Sequence, residues 1–342
     1  SALKDFAKAT FPDSKSDLFA MFIERGFELC KACGFNSMVT MQSWMFLSSY
    51  QSMREKHLRE RTLSCMVHMG NGVMGIAFGT AATVFFGNHI DSYCGDFSKV
   101  NAADLNIDER PNNFSHGNTG GRKIEIDNFS KIPGSPLAYW ASDDLLSVFS
   151  KHRQIYETSI SEGQNITANN EKFLRYFWEL DSSRIGIGNK WVFYSKGGSF
   201  RKWYGNIDFV IDWSQDARDE YRKNSSARII PEKLWFREGV TWTLVTSSDR
   251  SFRLLPDVAT FDKTGSSIFF ESKSDLKKAL LFLNSNVCEK LLDIFNSTVS
   301  LQVDDVRKLP FDPHASDVPE NNFDSLYLSA KRDWDDFESS WD

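Results

Sequence analysis

The strongest constraint on the fold is an alternation of patterns between residues 14 and 87. Ser14-x-x-Asp17 has the residues of a helix start, and Leu18, Phe19, Phe22, Ile23, Phe27 and Cys30 then recur at three- and four-residue spacing until Gly34. That spacing predicts an amphipathic helix with a glycine stop. "FNSMVTM" (35–41) follows as a short apolar run that reads as a buried strand, and "SSYQSMREKHLRER" (48–61) reads as a second helix with its charges toward solvent. "LSCMVHMG" (63–70) and "TAATVFFG" (80–87) are two more strand patterns. Helix, strand, helix, strand, strand predicts an α/β sheet, and a start on a helix implies that earlier strands are missing or supplied elsewhere.

From about 96 to 136 the chain turns polar, with "RPNNFSHGNTGGRK" at its centre, which predicts a long connection or domain boundary. Gly117, Gly120 and Gly121 are followed by no Gly-Lys-Ser/Thr and preceded by no buried strand, so a linker is expected there rather than a phosphate loop. Beyond Pro136 the texture is α+β, with helical patterns at 142–151 and 170–179 and strands near 190–194, 207–212, 241–246 and 267–271. Leu276, Leu280, Leu283, Val287, Leu291 and Phe295 predict one long helix begun by Ser274. Residues 311–342 are acidic and polar, and a tail or the start of a next element is expected. A length of 342 residues with 41% hydrophobic content suits two domains.

Several function classes find no support. No run of 18 consecutive apolar residues occurs and no signal-peptide pattern opens the chain, so neither a membrane span nor export by that route is expected. The five cysteines, Cys30, Cys33, Cys65, Cys94 and Cys288, are odd in number and scattered, which predicts a reducing, cytoplasmic compartment. Cys30-x-x-Cys33 has zinc or redox spacing but no second pair, and it reads as buried helix residues. The histidines show no metal spacing, and neither a Gly-x-Ser-x-Gly elbow nor a phosphate-cradling loop is present, so no catalytic set and no metal site are expected. The Ser1-Ala2 start reads as a cloning remnant, and a piece of a longer protein is expected.

The oddest run is "WVFYSKGGSFRKWYGN" (191–206), which concentrates cations, rings and glycine in a chain of net charge −6. Gly197-Gly198 permits unusual backbone and exposed amides on which Lys196, Arg201 and Lys202 converge around an anion, while Trp203 and Tyr204 offer stacking faces. A β-hairpin with solvated cations and core aromatics explains the same residues equally well. Arg218, Arg222, Lys223, Arg228, Lys233 and Arg237 form a second, acid-diluted basic set, and Arg250 with Arg253 in "TSSDRSFRLLP" a third. Three sets together predict one positive face for DNA.

Several segments resemble one family, the BREX phage-defence adenine-specific DNA methyltransferases of the PglX type. "DSKSDLFAMFIERGFELCKACGFNSMVTMQSWMFLSSYQSMRE" (13–55) is similar to the region that follows the catalytic Asn-Pro-Pro-Tyr in adenine methyltransferases. "IPGSPLAYWAS" (132–142), "TANNEKFLRYFWE" (167–179), "KWVFYSKGGSFRKWYGN" (190–206), "FREGVTWTLVTSS" (236–248) and "DWDDFESSWD" (333–342) resemble this subfamily. "LLFLNSNVCEKLLDIFNSTVSLQVDDVRKLPF" (280–311) is similar to the closing part of DNA target-recognition domains.

The resemblance implies the distal part of a Rossmann-like methyltransferase sheet over 1–130, an α+β target-recognition domain over 131–311, and a polar tail or next element over 312–342. It implies a parent that moves a methyl group from S-adenosylmethionine to the exocyclic amine of a flipped adenine in double-stranded DNA. Asn-Pro-Pro-Tyr and the glycine-rich S-adenosylmethionine motif are both absent, so the chain alone is expected to be inactive. The expected DNA contacts are Lys196, Gly197, Gly198, Arg201, Lys202, Trp203, Tyr204, Arg222, Lys223, Arg250 and Arg253, with Ser43, Trp44 and Phe78 walling the base pocket. Other phage-defence components are further candidate partners. An aromatic-rich carbohydrate-binding module and a protein-interaction scaffold are the competing readings.

Overall fold

The alternating patterns of the first 87 residues, extended by two more strands, make one mixed sheet. The computed structural model describes residues 2–106, 121–247, 249–295, 299–313, 321–337 and 340. Helices α1 (Ala2–Thr10) and α2 (Leu18–Leu29) lead into β1 (Phe35–Met41), α3 (Gln51–Glu60), β2 (Thr62–Met69), β3 (Thr80–Phe86), β4 (Cys94–Val100), β5 (Arg122–Glu125) and α4 (Asp143–Lys151). The strand order is β1-β3-β2-β4-β5, with β2 and β4 parallel and every other pair antiparallel. Since β1 and β2 both oppose β3, they run parallel to each other, joined by the crossover helix α3 with β3 slotted between them.

The strand at 35–41 was expected to be buried, and it lies instead at the sheet edge with Phe35 63% and Val39 55% exposed. α2 packs closely on it at Gly26, where a Cβ would come within 2.6 Å of the Asn36 side chain. α2 stops at Leu29, so Cys30 and Cys33 are not buried helix residues. They lie in the following loop, half-buried and exposed respectively, and all five cysteines are free.

The chain divides into two compact units, residues 1–151 with 294–297 and residues 152–293 with 298–342. The first unit runs past the polar stretch because Ile126, Phe129, Leu137 and Tyr139 complete its core around Trp44, Met45, Phe85 and Phe97. Gly117 and Gly120 lie outside the described residues.

The second unit contains α5 (Ile155–Thr158), β6 (Ser159–Ile160), α6 (Asn170–Phe173), β7 (Leu174–Tyr176), β8 (Trp191–Ser195), β9 (Phe209–Asp212) and α7 (Gln215–Lys223). There follow β10 (Gly239–Trp242), β11 (Phe252–Leu255), β12 (Ala259–Phe261), β13 (Ser267–Phe270), α8 (Lys273–Leu283), α9 (Asn286–Phe295, of which Ile294 and Phe295 count with the first unit), α10 (Val303–Arg307) and α11 (Asn321–Asp335). They build two four-stranded sheets, β11-β10-β13-β6 and β12-β8-β9-β7, in which only β12 and β8 pair parallel. β8 is buried along its whole length, with Trp191 and Phe193 in one core and Val192 and Tyr194 in another.

The helical pattern at 170–179 yields one turn and then β7, because pairing with β9 captures Leu174–Tyr176. The long helix splits at Asn284, whose side chain both accepts from and donates to the Phe252 backbone at 3.1 and 2.9 Å. The cap of α8 is Ser272, not Ser274. The polar C-terminal stretch contains α11, along which Phe323, Tyr327, Ala330 and Trp334 recur at three- and four-residue spacing, with Phe323 and Trp334 buried.

Candidate nucleic-acid interface

One end of the β8 sheet gathers three loops. β8 ends opposite the start of β9 and the end of β12, so residues 196–206 and 262–265 leave the sheet at the same end. Leu244 N donates to Thr264 O at 2.8 Å, which brings 243–247 to that end from the other sheet. Gly197 (φ 83°) and Gly198 (φ 126°) make the approach possible, since a Cβ on Gly197 would sit 2.8 Å from the Thr264 carbonyl.

Neighbouring side chains hold the backbone of this loop. Thr243 Oγ1 donates to Gly198 O at 2.9 Å and Asn206 Nδ2 to Ser199 O at 2.8 Å, while Thr264 Oγ1 lies 3.1 Å from Lys196 O. Arg253 Nη1 donates to Arg201 O at 3.2 Å, and Trp203 exchanges backbone bonds with Phe252 and Leu254 at 2.9 Å each. Arg253 is fully buried, and burial, aided by the nearby Arg201, pushes its guanidinium down to about 10. Its place is inside the loop, as a clamp, rather than on the surface where the sequence pattern put it.

The other cations are partly neutralised. Lys196 lies 3.5 Å from Asp262, which also accepts from Tyr194 OH at 2.9 Å and Thr264 Oγ1 at 2.6 Å. Burial and Asp262 push the Tyr194 phenol well above its ordinary value. Arg201 pairs with Asp333 at 2.7 Å and lies over the rings of Trp334 and Phe337, 5.0 and 4.6 Å from their centroids. Arg250 pairs with Asp293 at 2.7 Å, while Lys202 Nζ rests on the Asn284 carbonyl at 3.0 Å. A groove of about 510 Å³ opens beside the loop, lined by Arg201, Lys202, Asn206, Asp208, Trp334 and Phe337. Burial raises the Asp208 carboxyl, against the pull of Arg201.

The structure therefore brings Lys196, Gly197, Gly198, Arg201, Lys202, Arg250 and Arg253 together. Arg222 and Lys223 are exposed on α7, which leaves the opposite end of the sheet, and Arg222 pairs with Asp219 and Glu232. Tyr204 is buried against Tyr327, and Trp203 is half-buried against Phe323, so α11 covers both rings. Sequence reasoning missed Phe200, which is 46% exposed on the same loop. Its only signal was a Ser-Phe step directly after the glycine pair.

In the first unit, Trp44 is a core residue, 1% exposed, with Nε1 donating to Thr40 Oγ1 at 3.2 Å. Ser43 is half-buried beside Tyr50, and Phe78 is 48% exposed just before β3. At the carboxyl ends of β1 and β2, Gln42 bonds His68 Nε2, and His68 Nδ1 meets Tyr139 OH at 3.1 Å. Gly79 leaves the room that Gln42 occupies. Burial, with Lys99 acting in the same direction, lowers the His68 imidazole to about 4 and keeps it neutral. Ligands of open α/β sheets bind at this edge, and Gln42, His68 and Tyr139 carried no recognisable signal in the sequence.

Residues 2–74 match the Eco57I restriction-modification methylase family. Over 99% of its length the chain is 36% identical to the adenine-specific methyltransferase BrxX of Escherichia coli O9:H4 (strain HS), of which it covers 28%. The chain is thus similar to an adenine-specific methyltransferase over nearly all of its own length. It is also 33% identical, again over 99% of its length, to adenine-specific methyltransferase PglX of Lacticaseibacillus casei (strain Zhang), covering 30% of that protein. The chain thus spans under a third of the curated relatives it matches. Among solved structures, the Type IIL restriction-modification enzyme MmeI, in complex with DNA, shares the fold with a TM-score of 0.56 at 12% identity, over 99% of this chain and 48% of its own. Among the described residues no helix is long and apolar enough to cross a membrane, and no cluster of His, Cys, Asp or Glu suits a metal.

Proposed function

We propose that this chain is the distal part of a methyltransferase sheet joined to a DNA target-recognition domain, within a protein that methylates the exocyclic amine of adenine at a specific site in duplex DNA. The observation that carries this reading is the 36% identity to BrxX, which runs through both units. The β1-α3-β2 crossover with β3 inserted suits the outer part of such a sheet, and the loops at the end of β8 suit the DNA-reading part.

The parent's methyl donor is S-adenosylmethionine, and the residues present here do not form its site. Among the described residues the glycine-rich turn after β2, Gly70-Asn71-Gly72, leads into a single 3-10 turn at Val73–Gly75 and not into an α-helix, and the loop before β1 carries Cys30 and Cys33. No catalytic step is assigned to this chain. Its own work is to wall the base pocket near Ser43 and Phe78 and to hold the duplex.

Lys196, Arg201, Lys202 and Arg250 approach the phosphates, each of the three paired cations exchanging a carboxylate for a phosphate oxygen. Lys202, resting on a backbone carbonyl, gives up least. Arg222 and Lys223 act further out. Arg253, Trp203 and Tyr204 hold the loop in shape. The carbohydrate alternative relied on Trp203 and Tyr204 as open faces, and α11 covers both.

The test is duplex-DNA titration by the full-length protein at several salt concentrations. Lys196→Ala with Lys202→Ala is expected to reduce the log–log salt slope by about 1.8, close to 0.9 for each phosphate that the protein no longer neutralises. An unchanged slope and affinity would show that these residues do not touch phosphate.

A further inference from the structure

The run at 191–206 keeps one large apolar side chain substantially in water. Phe200 is 46% exposed, while Trp191, Phe193, Tyr194 and Tyr204 are all under 9% exposed. The segment that carries it is stiff, because carbonyls 198, 199 and 201 each accept a side-chain donor, and Arg201 N donates to Ser251 Oγ at 3.3 Å. A ring left 46% exposed on a clamped loop keeps apolar surface for a partner to cover, and the entropy of ordering its backbone is already spent before that partner arrives.

Its surroundings specify the partner. Arg201 and Lys202 follow Phe200 directly, and Arg250 lines the same notch as Phe200, with hydroxyls from Ser199, Thr243 and Thr246 around it. Cations on either side of a rigid ring match a polyanion that offers apolar slots between its charges. Duplex DNA has that pattern, with stacked base steps between two phosphate rails. Small hydroxyl side chains beside the ring suit either base edge, since they donate and accept.

We infer that Phe200 is a wedge that enters a base step of the bound duplex and partly unstacks it, with Ser199 and Thr246 beside it at the base edges. This rests on the DNA-recognition reading above and assigns the stacking role to the ring that the fold leaves open. Because the loop is held by so many ties, the wedge is presented without rearrangement, and a sequence-dependent cost of opening the step contributes to site choice.

The experiment uses the full-length protein and duplexes it retains from a random-sequence pool, each carrying 2-aminopurine at one successive position. The wild-type protein is expected to raise fluorescence at one step distinct from the target adenine. Phe200→Ala is expected to abolish that rise and weaken binding at least tenfold, with the salt slope unchanged because the phenyl ring neutralises no phosphate. Phe200→Leu should recover part of both. Wild-type affinity and an unchanged fluorescence pattern in Phe200→Ala would overturn the wedge. If Lys196→Ala with Lys202→Ala lowers the salt slope while Phe200→Ala is silent, only the wedge fails. If neither variant changes binding, or no duplex is retained, the DNA reading itself fails. Phe200 is exposed, so an unchanged thermal midpoint confirms that the variant is folded.

Discussion

Replacing Arg54 by Lys is expected to unfold the first unit far more easily than its conservative chemistry suggests. Arg54 on α3 is 1% exposed and spends its guanidinium on backbone carbonyls. Nη1 donates to Trp44 O and Leu47 O at 2.7 Å each, Nη2 to Gly134 O at 2.7 Å, and Nε to Gly134 O and Ser135 O at 3.2 Å each. It thereby ties the turn bearing Ser43 and Trp44 to a loop whose Gly134 and Ser135 are both left-handed, with φ 84° and 49°. A lysine ammonium is a single point and reaches one side of that arrangement, leaving at least two of these buried carbonyls without a donor. At about 1.5–2 kcal/mol for each of two orphaned groups, the loss is about 3–4 kcal/mol. With a urea m-value of about 2 kcal/mol/M, the midpoint should fall by about 1.5–2 M, read by hydrogen exchange of peptides from β2 and β3. Arg59→Ala, on the exposed side of the same helix with a 70% exposed side chain, should move it by less than about 0.3 M. If Arg54→Lys shifts the midpoint no further than Arg59→Ala does, the carbonyl-clamp account is refuted.

The two buried imidazoles of the first unit set its acid sensitivity. Burial lowers His68 to about 4 and His57 to about 3 from 6.5, so the unfolded chain binds these protons more readily than the folded one. The stability they allow is fully present above pH 6.5 and is lost as pH falls through 6.5 toward 4 and 3, by about 3 kcal/mol for His68 alone. Denaturation midpoints from pH 7.5 to 4.5 should show the fall and His68→Gln should reduce it; a flat wild-type profile contradicts the cause given. Gly205→Ala meets both a φ of 115° and the Trp334 ring at 2.8 Å, so a loss of about 2–4 kcal/mol and a midpoint drop of roughly 5–12 °C in the second unit are expected. Gly188→Ala, with φ 88° and open space around it, should cost only the backbone strain, about 1 kcal/mol; equal effects would discount the Trp334 contact.

Elements bounded by glycine and built on continuous apolar runs were legible from the sequence. β1 and β3 fall where the patterns put them, and so does α4. β4 and β5 were not legible, because "CGDFSKV" and "RKIE" have little apolar pattern of their own and become strands by pairing onto an existing sheet, Cys65 to Asp96 and Cys94 to Glu125. The splitting of α8 from α9 depended on Phe252, a residue distant in sequence whose backbone Asn284 satisfies.

At the candidate interface the sequence by itself determined the inventory: a glycine pair, cations and rings in one run, with further arginines at 250 and 253. Only the tertiary structure decided what each member faces. Asp262, Asp333 and Asp293 select which cations are held, Arg253 disappears into the loop as its clamp, and α11 covers Trp203 and Tyr204 while Phe200 stays in water. Periodicity reports local conformation, whereas burial and ion pairing are set by contacts between residues far apart in the chain, such as Arg201 and Asp333 at a separation of 132 residues.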